Sequence, residues 1–223
     1  MSLTAIAALL FGVLAPVRAK AADCPANIEA AGRVSMTDGK GLTSIIEALD
    51  WGFVRRIEDL AQAGANAKNH IEGYQGFFAE TITTISERGA VVQYYKISAE
   101  THARLRKALP PKPGTVLTID YDVIHSTGAQ APLPQSVPPS RRWKVTYTVT
   151  GEEHIKIGSC SYPTVIIQTA SSNADNSFST TTTYSYSPDL KAWLKLQGSF
   201  KPADSPESRI DRTIVSIATL AKD

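Results

Sequence analysis

The sequence has few of the residues that most catalytic and cofactor sites require. It contains two cysteines, two methionines and four histidines among 223 residues. The histidines are widely separated, and no pair has the spacing of a zinc site; they are His70, His102, His125 and His154. A Gly-x-Ser-x-Gly elbow, a phosphate-binding loop and a dinucleotide-binding fingerprint are all absent. We therefore predict no metal and no cofactor, assign no catalytic residue, and favour a protein that is not an enzyme.

The chain also lacks an excess of either charge. Its formal net charge is +2, and removal of an N-terminal leader that contains Arg18 and Lys20 leaves it neutral. Binding to nucleic acid depends on clustered Lys and Arg residues. The densest basic groups are the pairs Arg55–Arg56 and Arg141–Arg142, which we interpret as parts of solvated faces. No nucleic-acid partner is predicted.

The N-terminal segment has the pattern of a secretory signal peptide. Residues 3–17 are almost wholly apolar, and Ala19-Lys20-Ala21 has the small-x-small pattern of a cleavage site. The pattern predicts a signal peptide at 1–21 and export to the periplasm or out of the cell; the alternative is an uncleaved anchor helix. The apolar run is short for a bilayer span and contains Pro16. We predict no transmembrane segment after cleavage.

The remaining residues, 22–223, have the length of a single domain. The stretch 128–140 contains four prolines, which favour extended geometry. We interpret it as a long surface connection within one β-rich domain.

Cys24 and Cys160 are the only cysteines. Export to an oxidising compartment makes a disulfide between them the expected state. One alternative is a lipid on Cys24, although Asp23 stands where a lipoprotein signal has a small residue. The other is a catalytic Cys160, which no neighbouring histidine motif supports.

Residues 143–200 have the clearest periodicity in the chain. Trp143, Val145, Tyr147 and Val149 alternate with Lys144 and three threonines, which predicts a strand with one buried face. We interpret 150–153 as a turn, and 162–169 as a second strand rich in β-branched residues. A third strand at 178–186 and a fourth at 190–196 form a hairpin around Ser187-Pro188-Asp189.

The segment Tyr184-Ser185-Tyr186-Ser187-Pro188-Asp189-Leu190 resembles a feature of uncharacterised bacterial exported proteins, in which an aromatic-rich strand ends in Tyr-Ser-Pro-x-Leu. Lys191 stands where that pattern commonly has glycine. The resemblance covers roughly a quarter of the chain and implies an open, curved β-sheet related to a half-barrel. It implies no catalytic residue.

Outside this stretch the sequence predicts helices as well as strands. Residues 24–41 show no clear apolar period. Apolar residues then recur at helical spacing and predict a helix over 45–63, for which a partner-binding or membrane-surface role is the alternative to packing on the sheet. A shorter helix over 99–109 is predicted after Ser98. The predicted fold is α+β and β-rich: a curved antiparallel sheet or half-barrel with one longer and one short helix packed on it.

Three functions compete on this basis. The first is an exported, non-enzymatic binding or envelope-assembly protein, whose cleft would hold a lipid, another apolar small molecule or a partner peptide. The predicted ligand-binding residues are Trp143, Tyr147, Tyr184 and Tyr186. The second is an envelope-polymer hydrolase that uses Asp120, Asp122 or a histidine. The third is a purely structural envelope protein that works through its sheet edges.

Overall fold

The computed structural model describes residues 24–63, 66–87, 89–127, 141–174, 178–202 and 206–221. The predicted signal peptide at 1–21 and the proline-rich stretch at 128–140 lie outside the described residues. Both therefore stay predictions.

Twelve antiparallel strands account for most of the described residues. In chain order they are β1 (Arg33–Asp38), β2 (Thr43–Ala48), β3 (Phe53–Asp59), β4 (Ala67–Tyr74), β5 (Phe78–Ser86), β6 (Gly89–Lys96), β7 (Val116–Thr127), β8 (Arg141–Ile157), β9 (Cys160–Asn173), β10 (Phe178–Ser187), β11 (Ala192–Pro202) and β12 (Ser208–Thr219). Each strand pairs with its neighbours in the chain, and β12 pairs with β1. The strands form one closed up-and-down barrel, so successive connections alternate between its two ends.

The predicted open sheet or half-barrel is wrong, because the first and last described strands pair with each other. In this pairing Val34 lies opposite Thr219, and Met36 lies opposite Ile217. β1 lies in a segment without a visible apolar period, so the sequence offers no partner for the last strand. Closure gives every described strand a neighbour on both sides and removes the long exposed edges of an open sheet.

The predicted long helix over 45–63 is also wrong. This segment forms β2 and β3, which are joined by a short 3-10 turn at Asp50–Gly52. A second 3-10 turn, Leu60–Ala63, follows β3. Ile45 lies directly opposite Ile57 in the sheet, so these apolar residues belong to two paired strands rather than to one helical face.

The strands predicted in the second half of the chain are present, with one correction. The predicted turn at 150–153 does not form, since β8 continues to Ile157. The register between β8 and β9 shifts between Val149 and Gly151. The polar residues after Val149 therefore mark a β-bulge, which bends the strand without ending it.

The described residues contain two short α-helices. α1 (Ile28–Ala31) precedes β1, and α2 (Ala99–Ala108) lies between β6 and β7. α2 confirms the predicted helix at 99–109: the Ser98 hydroxyl accepts a hydrogen bond from the Thr101 amide at 3.1 Å. Leu105 of α2 is fully buried in a cluster with Ile119 of the barrel. The helix thus packs against the end of the barrel where β6 finishes and β7 starts.

The chain that precedes β1 is fastened to the same end of the barrel. A disulfide joins Cys24 to Cys160, the predicted pairing, with their Cα atoms 5.6 Å apart. The Ile28 amide donates a hydrogen bond to the Asp189 carbonyl at 2.9 Å, and the Ile28 side chain is fully buried. We call this the capped end; it comprises residues 24–32, α2 and the turns at 75–77, 158–159 and 188–191.

The turn between β4 and β5 makes a close contact within the capped end. Gly76 has a φ of 61°, and a Cβ atom there would lie 2.1 Å from the Lys191 carbonyl oxygen. Only glycine fits such an approach. The Tyr186 hydroxyl donates a hydrogen bond to the Gln75 carbonyl at 2.6 Å. The turn is thereby held against the β10–β11 hairpin.

Candidate functional site

A cavity of about 350 Å³ lies inside the barrel. Its wall follows from the alternation of β8, β9 and β10, because every second residue of each strand points inward. Six of the lining residues are tyrosine or tryptophan residues of β6, β7, β8 and β10: Tyr95, Tyr121, Trp143, Tyr147, Tyr184 and Tyr186. Apolar side chains such as Val145 and Ile167 fill the space between the rings.

All four residues that the sequence proposes as ligand contacts line this cavity. Trp143 and Tyr147 lie on β8, and Tyr184 and Tyr186 lie on β10. Tyr186 is 4% exposed and its hydroxyl is already bonded to Gln75, so it serves as part of the floor at the capped end. That these residues contact a ligand remains a prediction.

Sequence reasoning missed five further aromatic residues of the wall: Phe77, Phe78, Tyr95, Tyr121 and Trp193. Tyr121 lies opposite Trp143 in the sheet, and the two rings stack with an interplanar angle of 12° and centroids 6.4 Å apart. The Tyr95 and Tyr121 ring centroids are 5.6 Å apart. Trp143 in turn contacts Phe178 edge-on. These contacts form a continuous row of rings, which the register between strands reveals and single-strand parity does not.

The hydroxyl groups of Tyr95, Tyr121 and Tyr147 are neutral over the physiological range. Burial raises the pKa of Tyr95 to about 12, and the neighbouring Tyr121 adds to the effect. Burial likewise raises the pKa of Tyr121, although a hydrogen bond with Ser171 opposes the rise. Tyr147 has its pKa raised well above the ordinary value, again mainly by burial. The wall therefore offers uncharged hydroxyl groups beside aromatic faces.

A cluster of charged side chains occupies the opposite part of the interior, on β1, β3 and β12. Asp38 and Glu58 are 2% and 7% exposed. Arg212 binds both, with Nε 2.9 Å from Asp38 Oδ2 and Nη1 3.3 Å from Glu58 Oε1. Arg56 and Arg212 also lie on the Trp193 ring, with Cζ atoms 5.2 Å and 4.8 Å from its centroid. The cluster holds two cations and two anions and is neutral overall.

Asp38 is the most completely paired member of this cluster. Besides Arg212, it accepts hydrogen bonds from the backbone amides of Lys40 and Leu42, each at 2.9 Å. Burial alone would raise the pKa of Asp38, but the hydrogen bonds from Arg212 and the two amides outweigh it, and the pKa lies below its ordinary value. The carboxylate is ionised at neutral pH.

Arg56 is paired least well. Its Nε lies 3.4 Å from Glu58 Oε1 and makes no hydrogen bond within the described structure. About 24% of its side chain is accessible, and it lines the cavity. Of the described residues that form the cavity wall, Arg56 alone carries a charge. The interpretation of Arg55–Arg56 as a solvated pair is therefore wrong for Arg56.

The carboxylates proposed for a hydrolase lie elsewhere. Asp120 is exposed on β7 opposite Lys144, and Asp122 lies opposite Arg142 at 3.7 Å from its Nε. Neither lines the cavity. Among the described residues no group of three His, Cys, Asp or Glu side chains is arranged to hold a metal ion. The alternation that turns Tyr121 inward turns both carboxylates outward.

No protein-family model matches the chain, and no curated protein matches it. Among solved structures, the hypothetical lipoprotein YmcC from Escherichia coli is similar to it at 10% identity and a TM-score of 0.45, over 89% of this chain and 92% of that one. This similarity establishes no family, and the function of the cavity rests on its own geometry. In the described residues no helix is long and apolar enough to cross a membrane.

Proposed function

We propose that this protein is an exported, non-enzymatic binding protein that holds an apolar or amphipathic small molecule inside its barrel. The observation that carries the proposal is the cavity of about 350 Å³, which is lined by aromatic rings with uncharged polar tips. Its volume falls in the range of small-molecule sites, roughly 300–1,000 Å³. Aromatic faces provide apolar contact, while tyrosine hydroxyls orient a ligand through hydrogen bonds.

Export to the periplasm or the cell exterior is part of this proposal. The disulfide between Cys24 and Cys160 supports it, because such bonds persist in oxidising compartments. The signal-peptide pattern at 1–21 supports it from the sequence alone. Membership among exported proteins with a Tyr-Ser-Pro-x-Leu hairpin belongs to the same proposal and rests on 184–190.

The closed barrel favours a small molecule over the other two partners considered. Binding of a peptide by strand addition, or assembly through sheet edges, requires an unpaired edge strand. Every described strand has neighbours on both sides. The hydrolase alternative finds no support in Asp120 and Asp122, which lie outside the cavity.

The proposal is tested with phenylnaphthylamine, an uncharged fluorescent probe of apolar sites. We expect a saturable rise in fluorescence with the full mature protein. Thr180 lines the cavity, and a Thr180→Phe change fills part of it. Because the added ring occupies volume that the probe needs, this variant should bind the probe roughly tenfold more weakly, a loss of about 1.4 kcal/mol in binding free energy.

The matched control is Thr181→Phe. Thr181 is the next residue of β10 and is exposed, so the same substitution adds a ring outside the barrel. This variant should bind as the wild type does. Absence of saturable binding to the wild type, or equal weakening in both variants, would contradict a binding function for the cavity.

A further inference from the structure

Two adjacent arginines of β3 have opposite surroundings. Arg55 points away from the cavity and is matched by two carboxylates: its Nε lies 2.7 Å from Glu72 Oε1, and its Nη1 lies 3.6 Å from Glu47 Oε2. Arg56 points inward and lies on the cavity wall beside Trp193. Only one of these two guanidinium groups is therefore satisfied by its own protein surroundings.

The acidic residues of the interior are already engaged by Arg212. It donates to Asp38 at 2.9 Å and to Glu58 at 3.3 Å. Asp38 also accepts from two backbone amides, which leaves it little capacity for another donor. The one carboxylate oxygen near Arg56, on Glu58, is 3.4 Å from Nε and forms no hydrogen bond with it. Arg56 thus keeps unused donors.

The unpaired N–H donors of Arg56 face the cavity. A guanidinium group presents a planar fork of N–H groups that matches the paired oxygens of a carboxylate, sulfonate or phosphate. Leaving such donors unpaired inside a protein is unfavourable, whereas a bound anion would satisfy them. Most of the remaining cavity wall consists of rings and aliphatic side chains, which suit an apolar body, and the other polar side chains are uncharged hydroxyls such as Thr169, Ser171 and Thr180.

We infer that the ligand of this cavity is an amphiphile with one anionic group, which pairs with Arg56 while its apolar body lies against Tyr121, Trp143 and Tyr147. This inference rests on the proposed binding function and specifies its ligand class. The tyrosine hydroxyls of the wall are uncharged, and Arg56 is the one charged residue among the described residues that line the cavity. Its guanidinium group is therefore the feature that selects a negative group.

A matched pair of probes tests the inference. Anilinonaphthalene sulfonate and phenylnaphthylamine share the same aromatic body, and only the first carries an anionic sulfonate. Titration of the full mature protein with each probe gives two dissociation constants. We expect the sulfonate to bind about tenfold more tightly, the size of effect typical of a charge-assisted hydrogen bond.

Substitution of Arg56 then assigns the preference to one side chain. Arg56→Gln should remove the tenfold preference, because it weakens binding of the sulfonate about tenfold more than binding of the uncharged probe. Arg55→Gln, which alters the outward neighbour, should retain the preference. Arg56→Lys keeps the charge without the planar fork and should keep part of the preference. It also provides a folded variant if glutamine beside Glu58 prevents folding.

The outcomes separate this inference from the proposed function. If neither probe binds the wild type, both fail. If both probes bind the wild type equally, or if the folded Arg56 variants keep the full tenfold sulfonate preference, the ligand-class inference is overturned and the binding function stands. Loss of preference on substitution of Arg56, but not of Arg55, supports the inference.

Discussion

The inward-facing residues of β6–β11 are mainly apolar or aromatic, with hydroxyl groups from residues such as Thr169 and Thr180, whereas those of β12 and β1–β3 include a buried ionic cluster. We call the first group of strands the aromatic side and the second the charged side. On the aromatic side Val145 and Ile167 are 6% and 2% exposed. On the charged side Asp38 and Glu58 are buried to a similar degree. The same closed barrel thus buries two chemically different walls.

The comparison shows that burial in this barrel follows strand parity rather than hydrophobicity. On β2 and β3 the inward residues include Ser44 and Glu58, which face each other, whereas the more outward positions include Ile45 and Ile57. The cluster also spans the closing seam, since Asp38 lies on β1 and Arg212 on β12. We expect the two sides to respond differently to substitution and to pH.

The largest difference should appear when Arg212 is removed. Arg212→Met leaves Asp38 and Glu58 without their shared cation, and breaking a buried ion pair costs about 3–5 kcal/mol. Chemical denaturation should show a loss of this size in the free energy of unfolding. The control is Arg209→Met on the same strand, an exposed position where the change should stay within about 0.5 kcal/mol. Equal losses in the two variants would contradict a buried cluster that stabilises the closing seam.

The charged side should lose stability at low pH, and the aromatic side should lose stability at high pH. The folded pKa of Asp38 is lowered, so its contribution is fully present above its unfolded pKa of about 4 and is lost as the pH falls through the folded value. The folded pKa of Tyr95 is raised to about 12. Its contribution is present below the unfolded value of about 10 and is lost as the pH rises towards 12.

Denaturation midpoints measured across pH test both assignments. Asp38→Asn should reduce the loss of stability at low pH and leave the loss of stability at high pH unchanged. Tyr95→Phe should reduce only the loss of stability at high pH. If the denaturation midpoints of Asp38→Asn and the wild type fall equally at low pH, other carboxylates control acid unfolding.

The aromatic side was largely predictable from the sequence, and the charged side was not. On β8 the inward residues Trp143, Val145 and Tyr147 are all apolar or aromatic, so hydrophobic alternation reports their orientation directly. On β3 the inward residues are Val54, Arg56 and Glu58, which conceal that alternation. The remaining apolar residues of 45–60 then happen to match the period of a helix.

Closure and the ionic cluster depend on contacts that no local pattern contains. Asp38 and Arg212 are separated by 174 residues, and each has an ordinary polar sequence context. Four aromatic residues of the cavity were predicted, because the alternation of apolar and polar residues is visible within 143–147 and within 184–186 taken separately. Tyr95 and Tyr121 needed the register between β6, β7 and β8. The position of Arg56 in the cavity wall could not be predicted, because it depends on the orientation of β3 and this segment was predicted as a helix.

The smallest expected effect compares two tyrosines that are equally buried. Tyr186, on the aromatic side, and Tyr162, in the apolar cluster near the capped end, are each 4% exposed. The Tyr186 hydroxyl donates to the Gln75 carbonyl at 2.6 Å, whereas the Tyr162 hydroxyl has no hydrogen-bond partner in the described structure. Tyr186→Phe should therefore lower the free energy of unfolding by about 1 kcal/mol, the net worth of one hydrogen bond.

Tyr162→Phe removes a buried hydroxyl that gains nothing in the folded state, so stability should be unchanged or rise by up to about 1 kcal/mol. Both substitutions delete one oxygen atom and keep the ring, so differences in packing largely cancel between them. Urea denaturation of the two variants measures the difference directly. A larger loss at Tyr162 than at Tyr186 would mean that the bond to Gln75 does not fasten the β4–β5 turn, because the hydroxyl without a partner would then contribute more than the bonded one.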